Sequence, residues 1–210
     1  MQCTQHYNNN QKEKQMFTLR NISTGSNVPA EGDQFKQLIA LSQGGKYQRA
    51  AEEGRLFSVA NQAAVAVTAN LATTWTGLGV CNPAGSGKNF IMHEFGWSTD
   101  VVNPAEGVVG LMTADDTGMV AALTARCCFY GAGTSVAYCD DGATIGTPVL
   151  ERVCGSTMEG AISTQVQVGP AIIDLKGSII LPPDRSVLTY HSIGGTASLI
   201  FHFVWEEVPE

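Results

Sequence analysis

Residues 196–208 read TASLIFHFVWEEV, and this stretch decides the fold. Leu199, Phe201, Phe203 and Trp205 alternate with Ile200, His202 and Val204. A period of two is the signature of a β-strand. A sheet with one wet face should alternate apolar with polar residues, yet both sets here are largely apolar. Four large side chains on one face need a sheet to pack against. The second face needs a cover, either a neighbouring loop or another subunit. Leu199, Ile200, Phe201, His202, Phe203, Val204 and Trp205 are therefore the candidate subunit interface.

Working back from that strand, the same period recurs between turn signals. DLKGSIIL ends at Pro182-Pro183-Asp184, and RSVLTYHS runs to Gly194-Gly195. AISTQVQV, TPVLERVC, GVVGLMTA, NFIMHEFGWST, TGLGVC, AVAVTA and RLFSVA continue the series, as does a stretch around 121–130. In NFIMHEFGWST the odd positions carry Ile91, His93, Phe95 and Trp97, and the even ones Phe90, Met92 and Glu94. Short strands separated by Gly, Pro and Asp turns predict a mainly β domain over 55–210. The expected form is an antiparallel β-sandwich or jelly roll of roughly eight to ten strands. No repeat of fixed period points to a β-helix.

The N-terminal quarter differs. Residues 1–30 are polar and rich in Asn, Gln, Ser and Thr, as expected of an arm without its own core. Asp33 is placed to cap a helix whose stripe is Phe35, Leu38 and Ile39, ended by Gly44-Gly45. Phe35, Leu38 and Ile39 are the candidate docking residues of this arm, on the main domain or on a neighbour. A second helical piece, KYQRAAEE, stops at Gly54, which suits a C-terminal glycine cap. The predicted organisation is thus an arm with short helical segments over 1–54 and a sandwich over 55–210.

Composition narrows the function. Charged residues make up 15% of the 210 residues against 44% hydrophobic ones, where ordinary soluble domains carry about 25% charge. Extensive protein–protein contact would relieve such a shortage, although abundant Ser, Thr, Asn and Gln supply polarity too. The net charge of −7 and pI near 5.0 argue against nucleic-acid binding, which needs Lys and Arg for phosphates. No run of about 18 apolar residues predicts a transmembrane helix. The opening MQCTQHYNNN lacks the apolar segment of a secretory signal. Production in the cytoplasm is expected, without membrane partners.

The motifs that invite chemistry fall short of it. NPAGSGKN resembles a phosphate loop, but Asn82 stands at the first glycine position and Asn89 at the hydroxyl position. Strand-like residues follow, where phosphate binding needs a helix N-terminus. The segment is expected to be a hairpin or loop turn. Adjacent His93 and Glu94 would face opposite sides of a strand and share no metal. His191 and His202 read as interior or interface histidines. Asp115-Asp116 and Asp140-Asp141 lack the alternating oxygens of a calcium loop. Nothing pairs Glu94, Asp174 and Glu206 across a cleft for glycoside hydrolysis, and no G-x-S-x-G elbow occurs. Six cysteines without a C-x-x-C pair make structural zinc improbable. Cys127 and Cys128 should point to opposite faces, and a Cys127–Cys139 bridge is the disfavoured alternative to free thiols. No enzyme, cofactor or metal is expected.

Four turn-and-strand-end patterns carry a family resemblance. GGKY at 44–47 is followed by Gly54-x-x-Phe57-x-x-x-Asn61-Gln62, and Thr76-Gly77-Leu78 by Asn82-Pro83-x-Gly-Ser-Gly-Lys88. Gly177-Ser-Ile-x-Leu-Pro-Pro183 and a terminal Trp205-Glu-Glu complete the set. In this order they resemble a group of tailed-phage proteins. The resemblance covers most of the chain beyond its first ~40 residues, apart from the middle around 131–160. It implies a virion component: a capsid decoration (cement) protein, or a tail or fibre accessory, located on the particle and touching the major capsid protein. It carries over no catalytic residue. A homotrimer is expected by analogy with tumour-necrosis-factor-like jelly rolls, which pack about a threefold axis. The other expectation is a carbohydrate-binding module of a tail or fibre, with Trp75 and Trp97 as its candidate aromatics.

Overall fold

A computed structural model describes residues 18–20, 27–29, 45–100, 107–115, 118–159, 166–167, 171–195 and 199–210. The strands are β1 (Thr18–Arg20), β2 (Asn27–Pro29), β3 (Leu56–Ala60), β4 (Thr74–Asn82), β5 (Lys88–Thr99), β6 (Val108–Asp115) and β7 (Arg126–Cys127). They continue with β8 (Tyr138–Thr144), β9 (Val149–Ser156), β10 (Met158–Glu159), β11 (Val166–Gln167), β12 (Ala171–Leu181), β13 (Arg185–His191) and β14 (Leu199–Pro209). One helix, α1 (Gln48–Glu52), precedes β3. The chain divides into Met1–Gly44 and Gly45–Glu210, so α1 belongs with the sandwich and not with the arm. In the first unit the described residues form the antiparallel pair β1–β2. The proposed docking stripe, Phe35, Leu38 and Ile39, lies outside the described residues.

Two five-stranded antiparallel sheets face each other, one in the order β12-β5-β14-β3-β7, the other β8-β4-β13-β6-β9. From β3 to β6 every step crosses between the sheets, β6 and β9 are neighbours, and from β9 through β12, β13 and β14 the steps cross again. That is the winding of an eight-strand jelly roll, as the sequence pattern predicts. β7 and β8 are inserted between β6 and β9 and extend the two sheets beside β3 and β4.

β14 shows why the core sits where it does. Leu199, Phe201, Phe203 and Trp205 are fully buried between the sheets, and Phe95 lies 5.2 Å from Phe203 and 6.1 Å from Phe201, centroid to centroid. Phe57, Phe90, Met92 and Trp97 complete the layer from the same sheet, and Leu78, Val80, Val109, Leu111 and Val187 face them from the other. These four β14 side chains belong to the chain's own core, which removes them from the expected subunit interface. Of that set, Ile200, His202 and Val204 remain on the outer face, half-buried.

The alternation expected in β5 breaks at His93. Val204 pairs with Glu94 but Trp205 with Met92, so the register skips His93. This β-bulge keeps Phe90 and Met92 inside and lets Phe95 and Trp97 return to the same side. His93 and Glu94 therefore both lie on the outer face rather than on opposite sides.

The central strands β4, β13 and β6 of the second sheet are buried on both faces. Trp75, Cys81, Met112, Ala114, Met119, Ile145 and Leu188 form a separate apolar layer on its outer side. Gly79 makes room for it, because a Cβ there would come within 2.7 Å of Met119 Cε. Trp75 donates its Nε1–H to the Thr189 carbonyl at 2.9 Å. Trp75 and Trp97 are thus core residues, not an open sugar platform.

The Pro83–Gly87 turn joins strands of different sheets, so it is an arch and not a hairpin. Gly85 and Gly87 adopt φ of +73° and +64°, which only glycine takes without strain. Asn82 anchors the arch by donating to the carbonyls of Lys88 at 2.7 Å and Leu181 at 2.9 Å. Buried Asn61 joins the sheets in the same way, donating to Gly77 O in β4 and accepting from Phe201 N in β14. α1 ends as its glycine foretells: Gly54 has φ +69°, and Arg55 N donates back to Ala50 O.

The fully buried Glu207 carboxylate fixes the end of β14. It takes Lys88 Nζ at 2.7 Å, the Ser135 hydroxyl and the Val136 N–H at 3.2 Å. Removing one partner of a buried pair leaves the other charge uncompensated, at a cost of about 3–5 kcal/mol. Lys88→Met is expected to lower unfolding stability by about 3 kcal/mol, the low end because Lys88 stays partly solvated. Urea denaturation checks this, and an unchanged midpoint contradicts it.

Candidate assembly surface

The β7–β8 insertion extends both sheets on one side, where β7 and β8 are the edge strands, and leaves β12 and β9 as the edges on the other. Among the described residues, β12 and β9 have no strand on their outer sides. They lie one above the other. Glu151 of β9 and Ser178 to Leu181 of β12 line one shared hollow, and Gly155 at the far end of β9 abuts Trp97, which pairs with Ala171 of β12. Along this side Val153, Ile172 and Ile180 are 62%, 71% and 56% exposed, and Val149 and Leu150 are exposed beside them. Leu150 and Val153 lie on the outer face of the second sheet, opposite Met112 and Gly110, and Ile172 and Ile180 on the outer face of the first, opposite Gly96 and Ile91. Contact with an apolar partner removes such side chains from water.

Both edges are built against simple sheet extension. In β9 the register skips Cys154 and Glu151, and in β12 it shifts between Asp174 and Ile179, with Lys176 and Gly177 at positive φ. Bulges spoil the even row of free N–H and C=O groups that another strand needs.

Next to this edge, the outer face of the β12-β5-β14-β3 sheet carries a shallow depression of about 210 Å³. Ala60, Trp97, Ser98, Ala171, Ile172, Ile200, Phe201 and His202 line it, and its exposed lining is nearly all apolar. Small residues on the neighbouring strands create it. His202 pairs with Ala60 on one side and Gly96 on the other. Its ring lies on Gly96, where a Cβ would fall 1.9 Å from Cε1.

Farther along the same face a polar strip begins. The Tyr47 ring packs on His93 at 4.6 Å, and His93 Nε2 lies 3.4 Å from Glu206 Oε2. Arg55 also pairs with Glu206, and Lys46 Nζ holds both oxygens of Asp174 at 2.8 Å. Glu94, Asp174 and Glu206, weighed above as hydrolytic carboxylates, all sit on this open face. Asp174 and Glu206 are occupied by these cations. Among the described residues no three His, Cys, Asp or Glu side chains are placed to hold a metal ion. Cys127, Cys128, Cys139 and Cys154 are free thiols, with Cys127 buried and Cys128 exposed as their adjacency predicts. Burial pushes the Cys139 and Cys154 thiols up to about 12 and about 11, far from a nucleophilic thiolate at neutral pH. No described helix is long and apolar enough to cross a membrane.

Sequence reasoning missed the open side altogether. Its signal was present in TPVLERVC and DLKGSIIL, whose aliphatics were assigned to strands but not to an edge. Strand order, which decides the edge, is not written in any one strand. Comparison with known proteins yields no match, whether among protein-family models, curated proteins or solved structures.

Burial holds His93, His191 and His202 below the ordinary histidine value of 6.5; Lys46 adds to the effect at His93, while Glu94 partly offsets it at His202. A histidine with a depressed folded pKa takes its proton more readily when unfolded. The stability is therefore complete above about pH 6.5 and is lost as pH falls toward the folded values. The lowered carboxyls, Glu53 and Asp174, act only below their own ordinary values of 4.5 and 3.8. The thermal midpoint is expected to drop between about pH 7.5 and 5, and His202→Gln to flatten that drop. A flat wild-type profile across this window contradicts it.

Proposed function

We propose that this chain is a structural protein that assembles with copies of itself and serves as a component of a phage particle, as a capsid decoration protein. Exposed aliphatics on the edge strands support self-assembly most directly: Leu150 and Val153 of β9 lie on the outer face of one sheet and Ile172 and Ile180 of β12 on the outer face of the other. The resemblance of the turn motifs to tailed-phage proteins supports the particle, with the trimer and the contact to the major capsid protein as parts of the same reading. The carbohydrate reading loses its support, since Trp75 and Trp97 are buried.

The test is the mass of the full chain in solution, measured by light scattering across a concentration series. The wild type is expected to be a discrete oligomer. Val153→Glu with Ile180→Glu is expected to shift it to monomer while the far-ultraviolet spectrum stays that of a β protein. Wild-type protein that remains monomeric at high concentration, and that does not join particles carrying the major capsid protein, refutes the proposal.

A further inference from the structure

The residues just ahead of α1 fasten the start of the Gly45–Glu210 unit to its own first sheet. Lys46 Nζ holds both oxygens of Asp174 in β12 at 2.8 Å, and the Tyr47 ring lies on His93 of β5 at 4.6 Å. The Gly45 carbonyl accepts from Gln48 N at 3.0 Å and turns the chain into the helix. Gly45, Lys46 and Tyr47 thus form a strap across β12 and β5. We propose that this strap is an acid-opened latch: it lies closed on a neutral His93 and lifts when that ring takes a second proton.

The strap crosses the sheet where its pairing breaks. Val204 and Trp205 of β14 pair with Glu94 and Met92, and Asp174 and Ile179 of β12 pair with the same two residues. His93 is skipped on both sides, so it lies outside both ladders and under the strap.

The closed strap suits a neutral ring and not a charged one. His93 Nε2 lies 3.4 Å from Glu206 Oε2 and can donate there. Nδ1 is shielded from solvent and has no hydrogen-bond partner among the described residues. A second proton would put a cationic N–H on Nδ1 with nothing to accept it, and a buried charged donor without a partner is costly. The charged groups around the ring are Lys46 from the strap, Asp174 from β12, Glu206 from β14 with Arg55 on its other oxygen, and Glu94 beside it on β5. Burial and Lys46 disfavour the imidazolium, and Asp174 only partly offsets them. Lifting the strap removes the Tyr47 cover and the Lys46 charge together and lets water reach Nδ1. The ring is then easier to protonate open than closed, so falling pH favours the open form. The Asp174 carboxyl lies below its ordinary value of 3.8. Its pair with Lys46 therefore stays charged down to about pH 5 and does not drive the opening.

The latch is lightly held, as a switch requires. Both members of the Lys46–Asp174 pair are about half exposed, and such pairs contribute little. The stack of Tyr47 on His93 is the other fastening. Opening frees Asp174 and the His93 ring on the outer face.

Proton magnetic resonance of the full chain reads both ends of this device. The His93 ring signals report its proton, and the Tyr47 ring signals report the stack. The Tyr47 signals are expected to move from stacked to free positions between about pH 7.5 and 5. Their midpoint should match that of the His93 titration and lie below 6.5. His93→Phe keeps an aromatic ring under Tyr47 but takes no proton, so its Tyr47 signals are expected to stay stacked at about pH 5. Lys46→Met, at an exposed position, is expected to raise the His93 midpoint, and it carries the test if His93→Phe does not fold. Tyr47 signals that stay in place while His93 titrates overturn the inference. So does a Tyr47 shift that persists in His93→Phe, or a His93 midpoint that Lys46→Met leaves unmoved. The buried Phe57 and Trp205 signals are expected to hold across the range. Their collapse together with the Tyr47 shift means that acid unfolds the sandwich, which also overturns the latch.

Discussion

The structure depends on keeping four large side chains of one strand out of water on one side only. Leu199, Phe201, Phe203 and Trp205 are all fully buried, and every neighbour of β14 is arranged around them. β5 carries two apolar pairs, Phe90/Met92 and Phe95/Trp97, that a regular strand would point in opposite directions. The bulge at His93 brings them onto one face. That correction has a second effect. It puts His93 and Glu94 together on the outer face, where one meets Tyr47 and Glu206 and the other lies near His202. Much of the chemistry of the outer face is thus a by-product of packing the inner one.

The shortage of charge has two origins, which the fold separates. One is internal. The central strands of the second sheet are buried on both faces, and the layer of Trp75, Met112, Met119, Ile145 and Leu188 absorbs apolar residues that an ordinary two-layer sandwich would not need. The other is external, the aliphatics of β9 and β12. Composition alone cannot apportion the two, and the internal share weakens any inference from 15% charge to assembly. The external share survives because those side chains are exposed among the described residues.

The sandwich itself was legible, since periods of two between turn residues are local facts. So were the Gly54 cap, the opposed Cys127 and Cys128, and the turn-then-strand character of the 82–89 segment. What was not legible depends on pairing between distant strands. The doubly apolar β14 suggested an intersubunit face, but sequence does not say which of its faces meets the second sheet. The arch at Pro83–Gly87 looks like a hairpin locally, because the same glycine turn serves strands of one sheet or of two. A bulge leaves almost no trace in sequence, so His93 and Glu94 were assigned to opposite sides. The motif asparagines, Asn61 and Asn82, prove to be clips between the sheets. The resemblance they carry therefore speaks to this fold before it speaks to any activity.

An asymmetry between the two sides of the jelly roll remains. The 116–144 insertion adds β7 beside β3 and β8 beside β4, ties them with the Leu123–Cys139 bridge and locks the loop to β14 through Ser135 and Glu207. A fold that merely needed protected edges could treat both sides alike. This one covers one side with extra chain. On the other side it places bulges, which block strand addition but leave Val153, Ile172 and Ile180 in solvent. The charged Glu151, Arg152, Asp174 and Lys176 of the same two strands add to that protection, so both edges resist further strands while their aliphatics stay exposed.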